Sequence, residues 1–377
     1  MSRELLDQII RRIRQAGPLP VSEYMALALG HPQYGYYATR DPLGRVGDFI
    51  TAPEISQMFG ELIGLWSVAH WRALGRPAPL SLIELGPGRG TLMADALRAA
   101  RLEPEFLKSV SLHLVETSPK LREKQTRTLA PSGVAPVWHE DLRSALESAE
   151  GTPFFLANEF LDALPVRQFV RGPGGWHERV VGLNPDDSSR LAFGLSPDAA
   201  APEALDHPCA ATAHEGNLIE LAPARNAVAA ELAAAIAARG GAALLIDYGY
   251  AQPAPGDTLQ ALRRHARHDV LDMPGSADIT AHVDFAALSH AIRDAGALAY
   301  GPVEQGDWLM RLGIGQRAAA LARASPGQAN DVESALVRLT APERMGRLFK
   351  VLAAGRKGDP APPGFAEPEN MGGEGSR

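Results

Sequence analysis

The chain has 377 residues, 45% of them hydrophobic and 21% charged, a length and balance that fit one large folded unit with additions or two intimate ones. Its 37 basic and 44 acidic residues leave a net charge of −7, without the basic excess of a free nucleic-acid binder, so nucleic acid is not an expected partner. The single cysteine, Cys209, excludes an intrachain disulfide and a cysteine-based zinc cluster.

The first segment, MSRELLDQIIRRIRQAG, places Leu5, Ile9 and Ile13 at i, i+4 and i+8, with Leu6 and Ile10 beside them, which predicts an amphipathic helix. It lacks the continuous apolar run of a signal peptide, and Glu4 and Asp7 set it apart from an acid-poor transit peptide. No segment reaches the roughly 20 apolar residues of a membrane span, so the expected location is cytoplasmic. A second helix is predicted over Val21 to Leu29, then a loop, HPQYGYYATRDPLGRVGDF, rich in glycine, proline and tyrosine. Thr51 and Glu54 read as a capping box opening one long helix through Ile55, Phe59, Leu62, Trp66 and Ala69, ended by Gly75 and Pro77. Residues 1–77 are thus expected to form an N-terminal helical region covering the site.

From Leu80 the pattern alternates. LSLIELG, VSLHLVE, VAPVWHED and TPFFLANEF read as strands, with helical TLMADALRAARL, SPKLREKQTRTLA and LRSALESA between them. GAALLIDYGY reads as a further strand after an alanine-rich helix near Asn226 to Arg239. The expected fold class is α/β, a Rossmann-like parallel sheet with helices on both faces, over residues 78–356. Residues 184–217 and 250–284 break the rhythm and are expected as irregular insertions on the substrate side, followed by a helix near Phe285 to Ala295. Residues 357–377 are low in complexity and are expected to be disordered. Arg263, Arg264 and Arg267 read as a solvated helix face. His265, His268, His282 and Asp284 have no zinc-ligand spacing, and no metal is expected.

ELGPGRG carries Gly86, Gly88 and Gly90 between a strand and a helix, with Glu84 before them. The dinucleotide fingerprint G-x-G-x-x-G sets its third glycine three residues after the second; here the distance is two. This tighter spacing behind an acid is the pattern of S-adenosylmethionine (SAM) methyltransferases and conflicts with a nicotinamide oxidoreductase. Glu116 ends the next strand, where a carboxylate accepts hydrogen bonds from a ribose diol. Asp141 ends the third strand, where an acid meets an adenine amino group and the Leu142 N–H meets the ring; Asp141 also suits a helix N-cap. Together these residues predict SAM as cofactor.

The block GDFITAPEISQMFGELIGLW, Gly47 to Trp66, resembles the MidA family of methyltransferases, which assist assembly of mitochondrial respiratory complex I. ELGPGRGTLMADALR, LVETSPKLREKQ, ANEFLDALPVRQF, LLIDYGY, DTLQALRRHARHDVLDMPGSADITAHVDF, LGIGQR and GRLFKVLA agree with it, so the resemblance spans roughly residues 18 to 354. It implies a seven-strand methyltransferase sheet with an added helical region. It also implies methylation of a protein arginine, on a complex I subunit in the mitochondrial case. The lack of a transit-peptide pattern resembles the bacterial members. At residues 220–223, ELAP, Ala222 stands where relatives tend to have serine.

An arginine acceptor is a planar cation with five N–H donors, so its site needs carboxylates to hold it and to take a proton. NEFLDALP follows the fourth strand, on the acceptor side of this fold. Glu159 and Asp162 are therefore candidate catalytic acids, with Asn158 facing the methionine end of SAM. Glu54 is a rival, with Ser56 and Gln57, if TAPEISQ folds over the cofactor. Tyr34, Tyr36 and Tyr37 read as an aromatic cluster or a lid. The expected function is a SAM-dependent protein arginine methyltransferase. The alternatives are a methyltransferase of another acceptor or a SAM-binding assembly chaperone without turnover.

Overall fold

The computed structural model describes residues 2–39, 51–201 and 205–366. The later part of the tyrosine-rich loop and residues 367–377 lie outside the described residues.

The main sheet has seven long strands, numbered in chain order: β1 Leu80–Leu85, β2 Val110–Val115, β3 Pro136–His139, β4 Thr152–Asn158, β5 Ala242–Tyr250, β6 Leu298–Glu304 and β7 Phe349–Gly355. Their spatial order is β3-β2-β1-β4-β5-β7-β6. The five strands from β3 to β5 are parallel, and β7 runs antiparallel to both its neighbours. Two more residues, Val283–Asp284, pair with the end of β5. The chain order reverses between β1 and β4, so a crevice opens there at the carboxyl ends of the strands.

Strand periodicity divides the core. Leu82, Phe154 and Leu244 face one side, where helices Gln57–Ala73 and Thr91–Ala100 pack with Trp308, Ile314 and Leu339. Ile83, Phe155 and Leu245 face the other, against helices Leu142–Ser148, Pro223–Arg239 and Phe285–Asp294. Gly64 lets the first two helices touch, since a Cβ there would lie 2.3 Å from the Ala96 carbonyl oxygen.

The predicted amphipathic and second helices are Ser2–Ala16 and Val21–Gly30. Their buried residues Leu5, Ile9, Tyr24 and Met25 form a separate cluster with Val181, Ala261 and Ile279 of two inserted sheets, and with Val166 just before the first strand after β4. One is antiparallel, built from Leu19–Pro20, Arg167–Gly172, Gly175–Leu183, Leu191–Ala199 and Leu218–Leu221. The other joins Gln260–Arg263, Ala266–His268 and Asp278–Thr280.

Four expectations are corrected. The 184–217 segment is not all irregular: Leu191–Ala199 pairs with Gly175–Leu183, and because most of its side chains stay in solvent it has little hydrophobic alternation to betray it. Within 250–284, Arg263, Arg264 and Arg267 lie on a β-hairpin rather than a helix face, with Arg264 (φ 54°) and His265 (φ 61°) making the turn. Residues 357–366 are packed rather than loose. Trp66 Nε1 donates to the Pro363 carbonyl at 3.0 Å, Arg311 donates to the Gly364 carbonyl, and Phe365 lies against Trp308. The long helix after Thr51 is broken. Ala52–Ile55 is one turn, Ser56 is extended (φ −160°), and its hydroxyl caps the next helix by accepting from Met58 N.

Candidate functional site

The crevice holds a cavity of about 480 Å³, within the range of small-molecule sites. Its lining follows the strand order: Glu140 to Leu142 after β3, Glu116 after β2, Glu84 to Arg89 at the end of β1, and Asn158 to Phe160 with Asp162 to Leu164 at the end of β4.

Gly86, Gly88 and Gly90 have φ of 64°, 55° and 80°, a left-handed run that only glycine adopts without cost. At Gly86 a Cβ would come 2.8 Å from the Phe160 ring. The turn carries the chain from β1 into helix Thr91–Ala100 and exposes its backbone to the cavity.

Glu84 is 3% exposed, and its Oε2 has no hydrogen-bond partner. Burial pushes its carboxyl up to about 8. Asn158 Oδ1 is likewise buried without a donor. Two orphan acceptors on one cavity fit a cationic ammonium such as the methionine end of SAM.

Glu116 is buried; Oε1 accepts from Ser118 N at 2.8 Å and Oε2 from Gln125 Nε2 at 3.1 Å. Burial raises its carboxyl above the usual range. Gln125 also donates to the Gly88 carbonyl and accepts from Trp138 Nε1, tying the glycine turn to β3. Sequence reasoning missed Gln125, since one glutamine on a polar helix carries no signal. Asp141 caps helix Leu142–Ser148, accepting from Ser144 N at 2.8 Å, and its exposed carboxylate borders the cavity.

Glu159 follows β4 at φ 50°, a left-handed conformation that costs a non-glycine residue about 1–3 kcal/mol. Its Oε1 accepts from Ala52 N at 2.8 Å and Asn158 Nδ2 at 3.2 Å. Desolvation, with Asp162 adding to it, raises its carboxyl to about 7. Asp162 is 6% exposed, and its Oδ1 makes no hydrogen bond. Burial raises its carboxyl too, opposed by the Tyr248 hydroxyl and the Arg225 guanidinium.

A buried layer holds this loop. Asp247 Oδ2 accepts from Leu161 N at 3.0 Å and Asp162 N at 3.1 Å. Arg225 donates to the carbonyls of Asp162, Leu164, Ala281 and His282 at 2.6–3.2 Å. Neither residue was singled out from the sequence, because their partners are distant backbone atoms.

Glu54 also lines the cavity, but the capping box with Thr51 is absent. Thr91 Oγ1 donates to Glu54 Oε1 at 2.7 Å, and Arg89 lies 3.8 Å from Oε2. The break at Ser56 turns Glu54 toward the glycine turn. Ser56 and Gln57 do not line the cavity; Thr51 and Pro53 do. Tyr36 is core, whereas Tyr37 reaches the cavity with Met25 and Leu29. Asp278, unforeseen from the sequence, lines it as well.

Among known proteins, residues 62–303 match the model of a family described as S-adenosyl-L-methionine-dependent methyltransferase. The mouse mitochondrial protein arginine methyltransferase NDUFAF7 is 39% identical over 373 residues, covering 93% of this chain and 84% of the mouse protein. Its Drosophila melanogaster homolog, also named as mitochondrial, is 37% identical over 377 residues, covering 93% and 84%. A crystal structure from Burkholderia thailandensis with S-adenosyl-homocysteine bound is 30% identical, with a TM-score of 0.82 over 96% of this chain and 94% of that one. With the strand order, the glycine turn and matches that run nearly end to end, the chain belongs to this family of SAM-dependent methyltransferases, the MidA family that its sequence blocks resemble.

Proposed function

We propose that this methyltransferase modifies arginine in a protein substrate, with Glu159 as proton acceptor. One observation carries the reading: two desolvated carboxylates, Glu159 and Asp162, line the cavity just beyond β4, next to the glycine turn. A site of this kind suits a cationic acceptor that must lose a proton. The named activity of the mouse relative supports it. The MidA resemblance points to a complex I subunit as substrate and, for a bacterial member, to a cytoplasmic location.

SAM supplies an electrophilic methyl group, and the chain supplies position and electrostatics. Glu116 is assigned to the ribose hydroxyls, and Asp141 with the Leu142 N–H to the adenine. Gly86 and Gly88, which line the cavity, would give the cofactor backbone contact, with Gly90 completing the turn behind them, while Glu84 and Asn158 would receive its ammonium. Asp162 holds the guanidinium. Glu159, with its carboxyl near 7, takes the proton as methyl transfer turns the guanidinium nitrogen into a stronger acid. Glu54, engaged by Thr91, positions the Ala52–Ile55 turn against the glycine loop. The N-terminal helices and inserted sheets form the acceptor side.

The test is transfer of labelled methyl from SAM to protein in a cell extract. Label is expected on arginine, and Glu159→Gln is expected to lower the rate about 10²–10⁴-fold while S-adenosyl-homocysteine still binds. Label confined to small molecules, or to residues other than arginine, rejects the reading.

A further inference from the structure

We infer that Asp278 is a second carboxylate for the arginine side chain, oriented by Tyr37, so that Asp162 and Asp278 clamp one guanidinium between two segments of the chain. This rests on the arginine reading above and names a residue outside it.

Asp278 is 8% exposed and opens the short strand Asp278–Thr280 of the second inserted sheet. It lines the same cavity as Asp162. The Tyr37 hydroxyl donates to Asp278 Oδ1 at 3.2 Å. Tyr37, Asp162 and Asp278 all line this one cavity, so the phenol and both carboxylates face the same space.

The two segments are fixed to each other. Ala281 N donates to the Asp162 carbonyl at 3.1 Å. The Arg225 guanidinium bridges the carbonyls of Asp162 and Leu164 on one segment with Ala281 and His282 on the other. Asp162 presents a buried Oδ1 without a donor. A guanidinium has donors along two edges and satisfies carboxylates on two sides; a lysine ammonium is a point charge without that planar fork. Met25, Ala26 and Leu29 add apolar lining to the same cavity, which strengthens each charged contact by lowering the local dielectric.

The experiment titrates the full-length protein, saturated with S-adenosyl-homocysteine, with ethylguanidinium and with n-butylammonium. Wild type should bind ethylguanidinium at one site and prefer it to butylammonium. Asp278→Asn should weaken ethylguanidinium about 10- to 100-fold, and Tyr37→Phe by a smaller factor, with S-adenosyl-homocysteine affinity unchanged in both. If wild type shows no such site, or if Asp278→Asn and Tyr37→Phe bind ethylguanidinium as wild type does, the clamp is wrong. Arginine methylation then stands on its own assay. Methyl label found on residues other than arginine instead removes the reading beneath the clamp.

Discussion

Glu84 shows how an unmet partner becomes a measurable proton. In the cavity its carboxyl is held near 8, against 4.5 for an ordinary glutamate, by burial alone. The folded state therefore favours the protonated form. Its contribution to stability is fully present below pH 4.5 and is lost as pH rises toward 8. Glu84→Gln should stabilise the ligand-free protein at pH 9 by about 1–3 kcal/mol, read from denaturant midpoints, with little effect at pH 4.5. The same substitution should weaken S-adenosyl-homocysteine. In wild type, an arriving ammonium favours the ionised carboxylate, so binding should release a proton and tighten from pH 6 to 7.5. Calorimetry in buffers of different ionisation enthalpy reads that release directly; no proton release would disprove the pairing. Glu159 runs the same way in turnover: with a carboxyl near 7, kcat should rise with pH across that value and then level.

Among the elements, the segments after β1 and β4 carry the site, and each depends on residues that do not touch it. Gly86→Ala should abolish S-adenosyl-homocysteine binding, since the methyl group meets Phe160 at 2.8 Å on backbone already at φ 64°. Retained affinity would show that the turn relaxes freely. Arg225→Met should cost about 3–5 kcal/mol by leaving buried carbonyls and acids without their cation. Local chemistry made some of this readable from sequence. ELGPGRG, Glu116 and Asp141 lie where strand-end spacing put them, because each is set by the residues beside it in the chain. The Thr51–Glu54 capping box failed because an equally good cap, Ser56, stands five residues later and wins the longer helix. Strand Leu191–Ala199 and the hairpin around Arg264 were hidden because edge pairing is made by backbone, not by a hydrophobic face. Tyr37, Asp278, Asp162 and Arg225 meet only through the fold, at separations of up to 241 residues that no local pattern reports.

Over the whole molecule, the main sheet and the inserted sheets keep separate cores, and the cavity draws walls from both. This division predicts which losses stay local. Ending the chain at Arg356 removes the cover over Trp66 and Trp308, which belong to the main-sheet core and not to the cluster of the inserted sheets. Stability should fall by about 1–3 kcal/mol while S-adenosyl-homocysteine affinity is kept; a matching loss of affinity would mean that the segment supports the site. Ending it a few residues earlier has a different meaning. β7 lies between β5 and β6, yet of the seven strands it is the last in chain order. Without it two strands stand with open edges, and the sheet has no means of closing around them. A nonsense codon before Phe349 should act as a null allele, and a shortened product should go to proteolysis or aggregate rather than work at reduced rate.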